Sequence, residues 1–464
     1  MKSFSLILAA LCLSLFSIAQ PTWQIGNTQV TEYDLVTGVQ IPWELLWGPD
    51  AFLWCTERAG KILRIDPATG NFTVALDHTN IVASGGEPGM LGMAMHPDWE
   101  NTPQVFVVYN TGSGWNIQEQ LSVFYWNGTT LENEQVLIAD IPGGGIHNGS
   151  RLLITPDNKL MMTTGDTGDG GESSQDITAL NGKTLRINLD GSIPSDNPDP
   201  TSYVWSWGHR NSQGLCNGPN GIIYASEHGQ SDHDEFNIIE MGRNYGWPDV
   251  EGICNTVNEA SFCNEFNVKE PLKEWSPCIA VNGIEYYNHP SIPEWQNSVL
   301  MAVLGGLGSN YERLSVLHMS EDGLTVESED QFFSEFNQRI RDIAVNPNTG
   351  AVYVALNGPN YPGSGPNIIK EFVNDGNDIS SPKGQNLQDI QLFPNPVDTE
   401  LTMEFTDSFL GTSYQVFGFN GMEVHKAFVD NNTLKIDVSS WSAGSYYLTS
   451  TTHLGTVTRT FVVK

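Results

Sequence analysis

The chain has 464 residues, 39% of them hydrophobic, which is enough for a sizeable core and for more than one domain. Its formal net charge of −33 excludes a surface that attracts nucleic acid or anionic lipid, and solubility is its simplest consequence. The 46 glycines and 25 prolines favour many turns rather than long helices.

The N-terminus has the pattern of a signal peptide. Lys2 supplies a positive charge, Phe4 to Ile18 form an apolar run, and Ala19–Gln20 is the expected cleavage region. We therefore assign residues 1–20 to a signal and expect a secreted or cell-surface protein that is exported through the periplasm. The run is short for a membrane span, and no later stretch is long and apolar enough to be one.

A degenerate repeat dominates residues 21–372: Pro, then Asp or Asn, then an apolar run. Each copy predicts a turn followed by a strand. The interval between the fourth and fifth copies is about twice the earlier ones, and the apolar run Val299 to Val303 fits the missing copy. Six such units predict a six-bladed β-propeller, although Pro-Asp turns also recur by chance in other β proteins. The five clear copies begin at Pro49, Pro97, Pro156, Pro219 and Pro347.

Glycine-flanked polar segments lie at the ends of several predicted strands, where propellers carry their functional loops. Residues 143–151 contain His147, which can accept a proton from a hydroxyl near neutral pH; the alternative is a structural histidine. Residues 164–171 contain Asp166, which can orient a histidine; the alternatives are a plain turn or a calcium loop.

Two further polar segments follow. Residues 208–214 contain Arg210, whose rigid fork of donors suits carboxylate or quinone oxygens; the alternative is a salt bridge on a blade edge. Residues 226–235 contain Asp234 and Glu235, and carboxylates with loop carbonyls favour calcium. Two histidines there, His228 and His233, are a weak sign of a transition metal.

The cysteines predict a loop disulfide. Cys12 leaves with the signal, so an odd number remains and at least one thiol is unpaired or intermolecular. Cys254, Cys263 and Cys278 lie close in sequence, and one disulfide among them is expected outside the cytoplasm. Their spacing does not decide the pair, and it does not resemble a zinc site.

The composition changes after residue 372. Residues 373–388 are rich in Ser, Gly, Asn and Asp and predict a linker. Residues 389–464 contain short strand-like runs separated by turns such as Asn420–Gly421, which predicts a small β-sandwich. The expected fold is therefore all-β, with a six-bladed propeller followed by a β-sandwich.

This tail resembles the type IX secretion sorting domains of Bacteroidetes proteins. The resemblance is carried by Leu392 to Pro396, Gly444 to Tyr447 and the ending Phe461 to Lys464. It implies that the type IX secretion machinery is a partner. The alternative is an ordinary β-sandwich that binds carbohydrate or cell wall.

The polar segments together resemble the soluble glucose and sorbosone dehydrogenases, which depend on pyrroloquinoline quinone (PQQ). The resemblance follows the family order over about residues 35–360. It implies a six-bladed propeller that uses PQQ and Ca²⁺ to oxidise an aldose at the anomeric carbon to its lactone, and that passes electrons to an external acceptor. The matching stretches are residues 42–50, 56–58, 89–98, 182–194, 208–211, 244–248 and 339–342.

The resemblance also implies roles for single residues. His147 is the implied general base, Asp166 its orienting partner, and Arg210 the group that polarises the quinone oxygen. The implied cofactor contacts are Glu87, Arg210, Asn211, Arg339 and Arg341. The implied calcium ligands are the backbone carbonyls of Gly229 and Gln230, and the carboxylates of Asp234 and Glu235 in the same segment are the other expected metal ligands.

Two departures from the family pattern stand out. The family's glucose dehydrogenases place a lysine on the cofactor from the region of residues 300–310, but Met301 to Leu307 contain none. Glu87 stands where the family often has Gln, which brings a negative charge near an anionic cofactor. A calcium-dependent lactonase or other hydrolase, and a non-catalytic ligand-binding propeller, are the alternatives.

Overall fold

The computed structural model describes residues 20–83, 85–306, 311–361, 363, 365–374, 376, 390–405, 409–410, 412–418, 422–452 and 455–464. These form two compact units, Thr22–Asp375 and a C-terminal unit from Gly376 onwards, and each is described by itself. Residues 1–19 of the expected signal, most of the expected linker, Leu307 and the Asn420–Gly421 turn lie outside the described residues.

The larger unit is a six-bladed β-propeller, as the repeat predicted. Five blades are four-stranded antiparallel sheets, and the sixth has five strands. The two N-terminal strands are β1 (Thr22–Ile25) and β2 (Thr28–Thr37). The first three blades are β3 (Pro42–Trp47), β4 (Leu53–Glu57), β5 (Lys61–Ile65) and β6 (Phe72–Asp77); β7 (Met90–Met95), β8 (Gln104–Thr111), β9 (Gln118–Trp126) and β10 (Leu131–Pro142); and β11 (Gly149–Ile154), β12 (Leu160–Thr164), β13 (Lys183–Ile187) and β14 (Val204–Trp207).

The remaining blades complete the ring. The fourth and fifth are β15 (Ser212–Asn217), β16 (Ile223–Glu227), β17 (Asp234–Ile238) and β18 (Lys273–Trp275); and β19 (Val281–Tyr287), β20 (Ser298–Val303), β21 (Arg313–Met319) and β22 (Val326–Phe332). The sixth contains β23 (Ile340–Val345), β24 (Val352–Leu356) and β25 (Ile368–Val373). Strand β2 pairs with β25, so the beginning of the propeller closes onto its last blade.

Helices are short and few among the described residues. They are α1 (Glu172–Gln175) and α2 (Val257–Phe266), with 3₁₀ turns at Pro219–Gly221, Pro293–Trp295 and Ser334–Phe336. None is long and apolar enough to cross a bilayer. A capping box between Thr256 and Glu259 begins α2, and a disulfide joins Cys254 to Cys263 within it. The structure thereby selects one of the pairings that the sequence left open, and Cys278 is unpaired.

The Pro-Asp repeat marks the same turn in each blade. The five clear copies lie between the first and second strands, and the sixth copy is the Pro293–Trp295 turn before β20. The second strands are buried on both faces, because neighbouring blades cover them. Trp54 and Trp295 are fully buried in these layers. The expected sixth repeat unit is thus confirmed.

A β-bulge interrupts the innermost strand of every blade. In each case the first strand holds one more residue than the facing segment of the second strand. Bulges bend a strand locally and redirect its side chains, and they are common beside active sites. The bulges include Trp43, Leu91, Arg151, Gln213, Asn282 and Arg341. The same device therefore turns one residue of each blade toward the central channel.

The C-terminal unit consists of two sheets around one apolar core. One sheet has the order β26-β27-β30 and the other β29-β28-β31-β32. The strands are β26 (Ile390–Phe393), β27 (Glu400–Phe405), β28 (Ser413–Gly418), β29 (Glu423–Phe428), β30 (Thr433–Asp437), β31 (Gly444–Thr452) and β32 (Gly455–Val463). The predicted small β-sandwich is confirmed, but strands β26 and β29 were not predicted.

Candidate active site

A cavity of about 620 Å³ opens at one end of the central channel. Its walls come from the segments that precede the first strand of a blade and from those that follow the second strand. This end lies opposite the Pro-Asp turns. All four polar segments that the sequence analysis singled out contribute to this end of the propeller.

His147 and Asp166 form a hydrogen-bonded pair at the cavity. The distance from His147 Nδ1 to Asp166 Oδ1 is 2.7 Å. Burial alone would raise the pKa of Asp166, but hydrogen bonds from His147, Gly168 and Trp247 outweigh it and hold that pKa below its usual value. An ionised carboxylate only accepts hydrogen bonds, so Nδ1 donates to Asp166, and in the neutral imidazole the lone pair is on Nε2.

The backbone around this pair explains the glycines nearby. His147 has a φ of +54°, in the left-handed region that residues other than glycine rarely adopt. A Cβ atom on Gly165 would lie 1.9 Å from the His147 carbonyl oxygen, so only glycine fits there. The two segments can therefore approach closely enough for Asp166 to reach the imidazole.

Arg210 lies beside the same cavity. Its NH1 group donates to the carbonyl of His228 at 3.2 Å, and its Cζ lies 5.3 Å from the ring centre of Trp247. Its Nε is buried without a hydrogen-bond partner among the described residues. Its backbone N–H donates to the carboxylate of Glu227, which also accepts from His209. These contacts fix the guanidinium and leave donor capacity at the cavity.

Three further guanidinium groups line the cavity: those of Arg58, Arg339 and Arg341. Burial, followed by the charges of Arg339 and Arg58, lowers the pKa of Arg341 to about 9. Burial likewise lowers the pKa of Arg339, whose Nε has no hydrogen-bond partner within the described parts of the chain. Like charges in a partly buried cavity favour binding of an anion with several acidic groups.

Glu87 and Asn211 also lie at the cavity, as expected. Glu87 Oε2 accepts a hydrogen bond of 2.8 Å from the backbone N–H of His147. Asn211 is buried, and its Oδ1 accepts from the Gly149 N–H at 3.2 Å and from Gln213 Nε2 at 3.0 Å. The structure thus brings together His147, Asp166, Arg210, Asn211, Arg339, Arg341 and Glu87.

The expected metal ligands do not all meet at this cavity. Gly229, Gln230 and Asp234 line it. The Asp234 carboxylate, however, accepts from the N–H groups of Gly229, Ile279 and Ala280, at 2.9, 2.8 and 2.6 Å. It therefore joins the loop of Gly229 to the segment that leads into β19.

Glu235 lies away from the cavity. Its carboxylate accepts from Asn237 Nδ2 and from the Gly252 N–H, both at 2.8 Å, and burial raises its pKa to about 8. The expectation that Glu235 binds the metal directly is therefore corrected, since adjacent residues of a strand point to opposite faces. No group of three or more His, Cys, Asp or Glu side chains in the described ranges is arranged to bind a metal.

A buried network of charged side chains lies next to the cavity. Arg151 NH1 lies 2.7 Å from Glu44 Oε1 and 3.0 Å from Asp342 Oδ2, and its guanidinium stacks on Trp43. Burial raises the pKa of Glu44, and the charge of Arg151 opposes that rise. Arg341 reaches the same layer through Gln213 Oε1 and Asn282 Oδ1, both at 3.4 Å.

Comparisons with known proteins agree with this geometry. Residues 39–362 match the Glucose / Sorbosone dehydrogenase family, and residues 391–464 match the Secretion system C-terminal sorting domain. The quinoprotein glucose dehydrogenase B of Acinetobacter calcoaceticus is 36% identical over 282 residues, which cover 54% of this chain and 58% of that protein. The aldose sugar dehydrogenase of Escherichia coli is 27% identical over 335 residues, which cover 68% of this chain and 86% of that protein.

A solved structure gives the same picture. The PQQ-bound aldose sugar dehydrogenase of Streptomyces coelicolor superposes with a TM-score of 0.62 at 30% identity, covering 76% of this chain and 99% of that one. The sorting-domain match indicates export to the cell surface or the medium. Since the Glucose / Sorbosone dehydrogenase match spans more than half of the sequence, the chain belongs to the glucose/sorbosone dehydrogenase family.

Proposed function

We propose that this protein is an exported aldose sugar dehydrogenase that depends on PQQ and calcium. The observation that carries the proposal is the convergence of the His147–Asp166 pair and a cluster of guanidinium groups on one cavity. An aldose loses one hydroxyl proton and one hydride equivalent from its anomeric carbon, and the product is the lactone.

The protein's part in this reaction is proton removal. His147 Nε2 accepts the proton of the anomeric hydroxyl, while Nδ1 remains hydrogen-bonded to Asp166. The ionised Asp166 stabilises the imidazolium that results and keeps the ring oriented. Arg210 supplies a positive charge and hydrogen-bond donors where negative charge develops.

The cavity suits PQQ. When bound, PQQ supplies a quinone that accepts the two electrons and the hydrogen of the sugar's C–H bond. The guanidinium groups of Arg210, Arg339 and Arg341 line the cavity and are the donors that an anionic group would use. Arg339 and Arg341 would pair with its carboxylates, and Asn211 would contact it beside Arg210. Glu87 would lie at the edge of PQQ, where the negative charge of Glu87 would weaken binding of the anionic cofactor.

Calcium would be held mainly by backbone oxygens. Gly229 and Gln230 line the cavity, and Asp234 fixes their loop through the Gly229 N–H. Carbonyl oxygens and the cofactor's own oxygens are the hard ligands that Ca²⁺ prefers. The C-terminal unit would direct the protein through the periplasm to the type IX secretion machinery, and an external acceptor would take the electrons.

A reconstitution assay tests the proposal. The mature full-length chain is loaded with PQQ and CaCl₂, and dye reduction is followed with a panel of aldoses. We expect sugar-dependent reduction that His147→Ala lowers about 10³-fold, since general-base catalysis contributes about 10²–10⁴-fold. A chelator should abolish the activity, and added Ca²⁺ should restore it. Undiminished activity of His147→Ala would show that the base is another residue, and failure to bind PQQ would refute the proposal.

A further inference from the structure

Trp247 touches both polar groups that the proposed reaction requires. Its indole Nε1–H donates to Asp166 Oδ2 at 2.9 Å, and its ring lies 5.3 Å from the Cζ of Arg210. Asp166 uses its other oxygen, Oδ1, for His147 Nδ1 at 2.7 Å. One side chain thus connects the partner of the expected base to the expected electrostatic group.

Trp247 itself stands behind the site. It is only 9% exposed, and it is not among the described residues that line the cavity. It therefore reaches the reacting groups only through Asp166 and Arg210. Any effect of Trp247 on the reaction would be a positioning effect and not direct contact with sugar or cofactor.

Backbone hydrogen bonds and a neighbouring glycine fix the position of Trp247. The backbone N–H of Trp247 donates to the carbonyl of Gly208 at 3.0 Å, and the backbone carbonyl of Trp247 accepts from Gln175 Nε2 at 2.7 Å. A Cβ atom on Gly171 would lie 2.7 Å from the indole Nε1, and Gly171 has a φ of +87°. Glycine at this position therefore gives the indole N–H access to the turn that carries Asp166.

The hydrogen bonds of Asp166 distinguish positioning from simple packing. The Asp166 side chain is 1% exposed, and three donors hold it: His147 Nδ1, the Gly168 N–H at 2.8 Å, and Trp247 Nε1. The two side-chain donors approach different oxygens, so the carboxylate plane cannot rotate without breaking one of them. The indole N–H of Trp247 therefore helps to set the orientation of His147 through Asp166.

Another tryptophan of the propeller provides a comparison. The ring of Trp205 also lies beside a guanidinium, 4.9 Å from the Cζ of Arg186. Its Nε1 is buried and has no hydrogen-bond partner within the described ranges. The two tryptophans thus share the ring contact with an arginine, and they differ in the hydrogen bond to a carboxylate.

We propose that Trp247 is a positioning residue of this dehydrogenase site, whose N–H holds Asp166, and through it His147, while its ring holds Arg210. This inference rests on the proposed function. Without the indole N–H, both remaining donors of Asp166 bind Oδ1, so the carboxylate is held less firmly, and it attracts an imidazolium more strongly. Loss of the N–H therefore slows proton removal and makes the base easier to protonate.

The test compares Trp247→Phe with Trp205→Phe in the full mature chain. Phenylalanine keeps an aromatic ring beside each arginine and removes the indole N–H with part of the ring. Both variants lose that ring volume, so only the loss of the hydrogen bond to Asp166 distinguishes them. For Trp247→Phe we expect kcat to fall about tenfold, the size expected for one hydrogen bond to a charged group. KM and PQQ affinity should stay within about twofold, because the residue touches neither ligand. The acidic limb of the pH–rate profile should move to higher pH, and Trp205→Phe should match the parent throughout.

A measurement without turnover separates the inference from the proposed function. The low-field proton resonance of the His147–Asp166 hydrogen bond, identified by its loss in His147→Ala, should shift or broaden in Trp247→Phe and not in Trp205→Phe. An unchanged resonance, or an unchanged kcat and pH profile in an active enzyme, would overturn the inference. Equal losses in both tryptophan variants would overturn it too, since they would indicate packing alone. A parent that reduces no acceptor would refute the proposed function, and the resonance would still decide the role of Trp247.

Discussion

The backbone N–H of His147 donates a 2.8 Å hydrogen bond to the side chain of Glu87. Glutamine, which is common at this position in the family, keeps the accepting oxygen and removes the charge. In Glu87→Gln we expect PQQ to bind about tenfold more tightly, because one like charge no longer opposes an anionic ligand at close range.

The same substitution should lower the thermal stability of the protein when no cofactor is bound. The charge of Glu87 acts on Arg58, Arg339 and Arg341 and favours their protonated forms. Loss of that charge leaves the guanidinium groups repelling one another, so the melting temperature of the apoprotein should fall. Absorbance titration with PQQ and a thermal melt measure the two effects. Weaker binding of PQQ by the variant would contradict this view of Glu87.

Arg339 and Arg341 should contribute to cofactor affinity. We expect Arg339→Met and Arg341→Met each to weaken PQQ binding about 10- to 100-fold, the usual cost of losing a hydrogen bond to a charged group. Arg64→Met is the matched control, since Arg64 pairs with Asp50 and stacks on Phe52 away from the cavity. Equal PQQ affinities of all three variants would show that Arg339 and Arg341 do not contact the cofactor.

The buried carboxyl group of Glu119 should make stability depend on pH. Burial raises its pKa from 4.5 to about 8, and Ser150 is its hydrogen-bond donor. The folded state therefore holds a proton that the unfolded state releases between these values. This stabilising contribution is complete below pH 4.5 and is lost as the pH rises to about 8.

Glu119→Gln tests this dependence. The free energy of unfolding of the parent, relative to the variant, should fall by at most about 1.4 kcal/mol per pH unit across that range. Urea unfolding followed by tryptophan fluorescence at several pH values measures it. The exposed Glu100→Gln is the control and should leave the pH dependence unchanged. A parent–variant difference that does not vary with pH would show that Glu119 is ionised in the folded protein.

The C-terminal unit should be required for export and not for chemistry. Deletion of residues 390–464 should leave the protein inside the cell envelope, and aldose-dependent dye reduction in lysates should persist. Immunoblots of the medium, cell surface and periplasm measure the first effect. Secretion of the truncated chain at the parent's level would refute the sorting role.

Much of the architecture could be predicted because the relevant signals are local. A Pro-Asp turn before an apolar run occurs at the same point of each blade, so counting turns counts blades. The polar segments around His147, Asp166 and Arg210 flank strands that end at the same face of the propeller, and this placed them together. The spacing of the turns also placed the Val299–Val303 run in the sixth repeat unit.

The rest depended on side-chain direction. The sequence pattern predicted a loop at Asp234 and Glu235, whereas they are adjacent residues of β17 and point to opposite faces of the sheet. The sequence could not show that the Asp234 carboxylate binds the Gly229 N–H and two N–H groups of the distant segment before β19. Arg58 belongs to a family-like stretch but received no role; it follows the second strand of its blade, as His228 does, and that position was the available signal.

The extra residue in every innermost strand has a consequence for how such a site can diversify. Six backbones bend alike at one level and present an aromatic ring, a leucine, two amides and two guanidinium groups in pseudo-symmetric places. The scaffold is thus close to sixfold while the chemistry is not. Selectivity toward different ligands can change by exchanging single side chains, with the surrounding ladders of each sheet left intact.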